Sequence, residues 1–198
     1  MGFFLEEELV ILFKILHSSF VKDPIEQVGA AVLRKHAKAV LKKDIGSRKL
    51  ARVIAHMKKA LKNEGFGVAI AAPQIGESLR MFVVSGKVFA PEGDETATPP
   101  DQVFLNPEFL RMSKKKSEMT EGCLSVRHKY GTVLRFEKAS IKALNESGKS
   151  LVYHGSGLVA QIFQHEIDHL NGILYVDKSV TLMDDKDWKE LREKRKKT

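Results

Sequence analysis

His165-Glu166-Ile167-Asp168-His169 sets two histidines four residues apart, with a glutamate beside the first. On a helix that spacing stacks both imidazoles one turn apart on one face, where both reach a single cation. Glu166 is displaced around the helix, so its carboxylate addresses a water at that cation without ligating it. The flanking residues supply the helix. Its pattern runs from about Gly157 to Asn171, with Ser156 as candidate N-cap and Gly172 as candidate C′ residue. Leu158, Ile162 and His169 fall along one side, and Phe163, Ile167 and Leu170 add apolar surface elsewhere. A helix apolar around so much of its circumference is expected to be buried.

Two histidines do not complete a site, because a catalytic centre commonly takes three protein ligands and keeps one position for water or substrate. Cys123, the one cysteine of the chain, stands in Glu121-Gly122-Cys123-Leu124-Ser125 and is the soft candidate. Gly122 permits a tight backbone path around the sulfur. Spacing alone leaves Asp177 or another acid as an alternative. A single cysteine also excludes an internal disulfide framework and a four-cysteine zinc knuckle. Further upstream, Gly65 to Gly76 is rich in small residues, and Pro73 denies a continuing helix. That stretch reads as a loop or short strand pressed against a neighbour.

The remaining chain reads as one domain of 198 residues, 43% hydrophobic and 29% charged, a soluble globular composition. Leu50, Val53, Ile54, Met57, Ala60 and Leu61 mark one face of a helix between Ser47, a candidate N-cap, and Gly65, a stop signal. Leu79–Val84 and Gln102–Asn106 are strand-like, and Ala90–Pro100, with three prolines, a glycine and three acids, is expected to be an exposed loop. Lys114–Lys116 is a solvated charge run. Val133–Leu144 and Leu151–His154 read as strands joined by a turn at Asn145–Gly148. Leu9–Leu16 is too short to span a membrane and follows three glutamates, so neither a membrane partner nor an export signal is expected. With a lone thiol, the expected compartment is the cytoplasm. Net charge is +8, and residues 186–198, with seven basic and three acidic side chains, supply half of it.

Taken together, three stretches resemble the motifs of peptide deformylases: Gly67-Val68-Ala69-Ile70-Ala71-Ala72-Pro73-Gln74, Glu121-Gly122-Cys123-Leu124-Ser125 and His165-Glu166-Ile167-Asp168-His169. The likeness spans roughly 28–180, leaving a variable N-terminal segment (1–27), a surface insertion (90–102) and a basic C-terminal tail (186–198). It implies an α+β fold with small mixed or antiparallel sheets around a central metal-binding helix. It implies Cys123, His165 and His169 as ligands, ferrous iron as the native metal with zinc, nickel or cobalt able to replace it, and Glu166 as the residue that activates water and carries its proton to the departing amine. Gln74 and the Leu124 N–H are implied as donors to the developing oxyanion. Val68 and Ala69 would pair with an extended formyl-methionine nascent peptide, and Leu158, Gln161 and Ile162 would shape the methionine pocket. The basic tail resembles a ribosome-docking element, and no DNA partner is expected. Glu121, Arg135 and Asp168 are candidates for orienting the ligand-bearing segments. The chain departs from the family pattern at Ala69, where glycine is usual, at Arg127, where proline is usual, and at Tyr130, where a basic residue is common. A zinc-dependent endopeptidase and an inactive metal-binding regulatory domain are the competing functions.

Overall fold

The computed structural model describes residues 24–91 and 98–196; the apolar run at Leu9–Leu16 and the tip of the Ala90–Pro100 loop lie outside them. In chain order the elements are α1 (Arg48–Asn63), β1 (Ala69–Ala71), β2 (Met81–Val84), β3 (Gln102–Met112), β4 (Lys116–Cys123), β5 (Val126–Phe136), β6 (Lys138–Leu144), β7 (Ser150–Ser156), α2 (Gly157–Leu170), β8 (Thr181–Asp184) and α3 (Asp185–Lys196). Five strands form one antiparallel sheet in the order β1-β2-β3-β6-β7, and three form a second in the order β4-β5-β8.

Helix α1 forms where its apolar periodicity places it. The Ser47 hydroxyl accepts from the Leu50 N–H at 3.2 Å, which satisfies one of the donors a helix start leaves over. Its buried side carries Leu50, Val53, Ile54, Met57, Ala60 and Leu61, packed with Ile70, Val83, Val103 and Leu105 on one face of the large sheet. Helix α2 covers the opposite face. There Phe82 and Phe104 stack at 4.6 Å between centroids, and Phe163 of the helix meets Phe104 edge-on at 5.6 Å. The other side of α2 turns toward the small sheet, so the motif-bearing helix lies between the two sheets.

Helix α2 ends in a Schellman arrangement. Gly172 adopts φ +76°, its N–H reaches the His169 carbonyl at 3.1 Å, and the Ile173 N–H reaches the Asp168 carbonyl at 2.9 Å. A side chain at Gly172 would come within 2.7 Å of the Arg34 carbonyl, so glycine is needed here for shape as well as for conformation. At the other end, Ser156 occupies the N-cap position with extended backbone but makes no side-chain capping bond, contrary to the sequence expectation.

Several strand expectations require correction. Val133–Leu144 is two strands in different sheets, β5 and β6, separated at Glu137. The corner is marked in the sequence only by Glu137-Lys138, two adjacent polar residues that shift the apolar positions from Leu134 and Phe136 to Ala139, Ile141 and Ala143, and no glycine or proline punctuates it. Strand β3 continues past Asn106 to Met112, because Asn106 takes φ +50° at a bulge that accommodates Pro107. The Asn106 side chain locks this bulge by donating to the Val40 carbonyl and accepting its N–H, both at 2.8 Å. Strands β4 and β8, which sequence patterning does not mark, complete the small sheet. Residues 25–27, grouped with the variable N-terminus from sequence, belong to the packed body: Ile25 is buried, and the Glu26 N–H donates to the Gln74 carbonyl at 2.7 Å.

Met57 is fully buried at the centre of the α1 cluster. Replacing it with alanine is expected to cost about 2–5 kcal/mol. Urea denaturation checks this as a lower midpoint with an unchanged slope.

Candidate metal centre

Cys123 closes β4 and starts a two-residue turn, Leu124-Ser125, that returns the chain as β5. The turn aims the sulfur across at α2. There the potential ligand atoms of Cys123, His165 and His169 all lie within 4.8 Å of one another, and Cys123 Sγ is 3.2 Å from His169 Nε2. The structure therefore brings the three sequence-predicted ligands together, and Asp177 is engaged elsewhere, by Arg34 and by the Leu174 N–H.

Charge dictates what such a cluster holds. Burial raises the Cys123 thiol, but His169 and His165 outweigh it and bring the group down to about 5, so it is a thiolate near neutrality. Burial opposes a proton on His165, yet the Cys123 sulfur and the Glu121 carboxylate overcome that and raise its pKa. A half-buried thiolate and a buried carboxylate that pull positive charge onto an imidazole form a site that favours a cation. One sulfur and two ring nitrogens suit a divalent transition ion and leave room for a further ligand on the pocket side.

Behind the ligands stands a buried ion network. Arg135 of β5 donates to both Glu121 oxygens at 2.7 and 2.8 Å, and to Asp168 Oδ2 at 2.6 Å. Glu121 Oε2 also lies 2.8 Å from His165 Nδ1, which turns the Nε2 of that ring toward the ligand cluster. Lys178 reaches the second Asp168 oxygen at 2.6 Å. Burial would raise the Glu121 carboxyl, but its bonds to Arg135 and His165 prevail and hold it at about 2. Glu121, Arg135 and Asp168 thus occupy the orienting positions considered from sequence; Lys178 was missed, since an isolated surface lysine carries no pattern.

Glu166 is buried, and its Oε2 has no hydrogen-bond partner in the structure. Burial lifts its carboxyl to about 7 against the opposing pull of the two histidines. His169 Nδ1 is likewise buried without a partner. Gln74, also buried, is held at both ends of its amide. Its Oε1 accepts from the Ala71 N–H at 2.8 Å, and its Nε2 lies 3.2 Å from the Ser125 hydroxyl and 3.5 Å from Cys123 Sγ. Ser125, fully buried, is a positioning residue that the motif contained but sequence reasoning gave no role.

A cavity of about 320 Å³ opens onto Gln74, Cys123, His165 and Glu166. Leu158, Ile162, Gln161, Val68 and Ala69 all line it, as do Phe66 and Tyr130. Leu158 is 54% exposed, whereas Ile162 is a core residue that shows only an edge to the cavity. Gln161 is a strut as much as a wall, since its Nε2 donates to the Thr120 carbonyl of β4 at 2.9 Å. Val68 commits its carbonyl to the Ser85 N–H at 2.8 Å. Antiparallel alternation then turns the Ala69 N–H and C=O away from β2, toward the open edge of the sheet beside the cavity. Of the departures noted in sequence, Arg127 pairs with Glu64 at 2.8 Å, and Tyr130 stacks on Trp188 of α3 at 5.0 Å between centroids.

This arrangement has known counterparts. A family model for polypeptide deformylases matches residues 22–185. The peptide deformylase of Halothermothrix orenii is 39% identical over 158 residues, which is 80% of this chain and 94% of that protein. A class I type b peptide deformylase from Acinetobacter baumannii, solved with Met-Ala-Ser bound, is 34% identical with a TM-score of 0.69 over 78% of this chain and 96% of its own. The Legionella pneumophila peptide deformylase structure is 39% identical, with a TM-score of 0.67 over 78% and 83%.

Glu121→Gln removes the charge that fixes His165 and half-neutralises Arg135. Affinity for a divalent transition metal is expected to fall about 10–100-fold, measured by competition against a chelator of known affinity. Unchanged affinity would mean that the network does not orient the ligand.

Proposed function

The chain belongs to the polypeptide deformylase family, and we propose how its residues divide the work of that chemistry. The enzyme hydrolyses the N-formyl group of N-terminal formyl-methionine on nascent polypeptides. Water adds to the formyl carbon, the carbon–nitrogen bond breaks, and formate and a free amine leave. The observation that carries this function is a thiolate and two imidazoles converging beside a cavity that Cys123, His165 and Glu166 line, inside the stretch that the family model matches. The family match displaces the endopeptidase alternative, and Glu166 and Gln74, both present and buried beside the cluster, argue against an inactive regulator.

Cys123, His165 and His169 hold the metal, which when bound supplies Lewis acidity to the formyl oxygen and acidifies water. Glu166, buried and lifted to about 7, takes a proton from the attacking water and returns it to the departing nitrogen. Its unpartnered oxygen supports that role, being free to meet a proton that moves. Gln74 Nε2 and the Leu124 N–H donate to the formyl oxygen as charge grows on it. Such donors act most strongly when fixed beforehand, and the Gln74 amide is fixed by Ala71 and Ser125.

The Ala69 edge of β1 pairs with the backbone of an extended peptide, in the manner of strand addition. Leu158, Ile162 and the stem of Gln161 receive the methionine side chain, while Val68 flanks it. The bound Met-Ala-Ser of the A. baumannii relative is consistent with a methionine-first peptide in this place. Ferrous iron is the proposed native metal on the family resemblance; zinc, nickel and cobalt suit the same donors. A reduced thiolate ligand fits a cytoplasmic enzyme. The basic side chains of α3 are the proposed contact with ribosomal RNA.

The central test is formate release from a formyl-Met peptide. Chelation is expected to abolish turnover and anaerobic Fe²⁺ to restore it. Glu166→Ala is expected to lower kcat by about 10²–10⁴-fold while metal remains bound. Retained turnover in that variant would dismiss Glu166 as the proton carrier.

Ribosome docking needs a cleaner variant than truncation, because removing residues after Asp187 also removes Trp188 from Tyr130 and so disturbs the cavity wall. Lys186→Gln, Lys189→Gln and Arg192→Gln together are expected to weaken co-sedimentation with ribosomes and to leave small-peptide turnover unchanged. Equal co-sedimentation would remove the role.

A further inference from the structure

The basic tail is not where most of the charge excess lies. From Arg34 to Asn63 the chain has eleven Lys and Arg against one acid, Asp44. That is a net +10 in thirty residues, more than the +8 of the whole chain. Helix α1 itself carries Arg48, Lys49, Arg52, Lys58, Lys59 and Lys62 and no acidic residue.

Helical geometry gathers these charges. At 100° per residue, Arg48, Arg52, Lys59 and Lys62 fall within about 40° of one line along the helix, opposite the Leu50–Met57–Leu61 face packed on the sheet. All four are exposed, and the stripe runs about 21 Å. Lys49 and His56 flank it, and Lys42 and Lys43 extend it on the preceding turn. Among the described residues Lys58 is paired with Glu146, whereas the four stripe residues have no ion pair. Cations this close repel one another, so an uncompensated row of them stabilises nothing by itself. It creates a field that an extended polyanion relieves.

We propose that the exposed face of α1 is a second macromolecular contact, binding the phosphate backbone of RNA. The inference rests on the deformylase assignment in one respect: an enzyme acting on nascent polypeptides works beside the RNA-based machinery that makes them. The face itself argues for phosphates. Its exposed positions hold no large apolar side chain, and its apolar side is fully used by the core, so it cannot lay an apolar face into a lipid interface. Positive charge spaced along a rigid rod, without aromatic or acidic neighbours on the helix, matches a regularly charged backbone and reads no sequence. The C-terminal end of α1 leads into Phe66 and Gly67, which line the cavity, so RNA along the stripe lies at one side of the cavity mouth.

The test titrates the full chain against a fluorescently labelled single-stranded RNA by anisotropy, from 50 to 200 mM salt. If four phosphates are engaged, the stripe contributes about −3 to the slope of log affinity against log salt. Arg48→Gln, Arg52→Gln, Lys59→Gln and Lys62→Gln together are expected to weaken binding at least about tenfold at low salt and to flatten the slope by about that amount. The charge-keeping set Arg48→Lys, Arg52→Lys, Lys59→Arg and Lys62→Arg is expected to stay within about twofold of the native chain. Circular dichroism establishes that both variants are folded, and formate release is read on the same samples. Absent turnover in the native chain would count against the deformylase assignment, whatever the titration gives. An unchanged affinity and slope in the glutamine set overturns the proposal. So does loss of binding only when the α3 basic residues are changed, or displacement of RNA by polyglutamate at equal charge concentration.

Discussion

One buried guanidinium sets the geometry of the metal centre. Arg135 comes from β5, yet it grips Glu121 on β4 and Asp168 on α2, and Glu121 in turn fixes His165. The sulfur and the two ring nitrogens belong to segments some forty residues apart in the chain, and nothing local brings them together. Apolar packing of α2 on the large sheet sets the approach, but it has no directional preference on the scale a metal requires. The ion network adds that direction. Burying charge is seldom a net gain in stability, and breaking such a network leaves a stranded charge that costs about 3–5 kcal/mol. Its value here is positional: the small sheet and the helix are held in one register at the residues that need it.

The same network divides the acids of the site by environment. Glu121 and Glu166 are both buried carboxylates that interact with His165, yet one is held at about 2 and the other lifted to about 7. Burial pushes both upward. The difference is the guanidinium and imidazole bonded to Glu121, against an unpartnered oxygen on Glu166. One carboxylate is thereby a permanent anion that orients a ligand, and the other exchanges protons near neutral pH.

Legibility in the sequence followed how locally each feature is encoded. Helices α1 and α2 were plain because their apolar residues repeat at helical spacing, and the ligands were plain because His165 and His169 declare their shared face by spacing alone. Cys123 was legible only in the company of that motif. Strand β4 was not: its inward residue Glu121 is charged, and its burial is earned by Arg135, fourteen residues away, rather than by apolar alternation. The corner at Glu137 is easily passed over because its one signal is a single-residue slip of the alternation at Glu137-Lys138 with no glycine or proline, and β3 looked shorter because Pro107 normally ends a strand. Trp188 gave no sign of its partner, since its contact with Tyr130 depends on tertiary placement.

The outer edge of β1 has a consequence beyond the site. An unpaired sheet margin is ordinarily an invitation for copies of a protein to zip together, and long flat margins are where self-association starts. This one is three residues long, closed at one end by the 3-10 turn at Ala72–Ile75 and at the other by the Gly65–Val68 loop. So brief a margin offers too few rungs to seed a ladder between folded molecules, while remaining accessible to a single slender chain. Brevity thus reconciles an available hydrogen-bonding edge with colloidal safety, and lengthening β1 by a few residues would put the second at risk for the sake of the first.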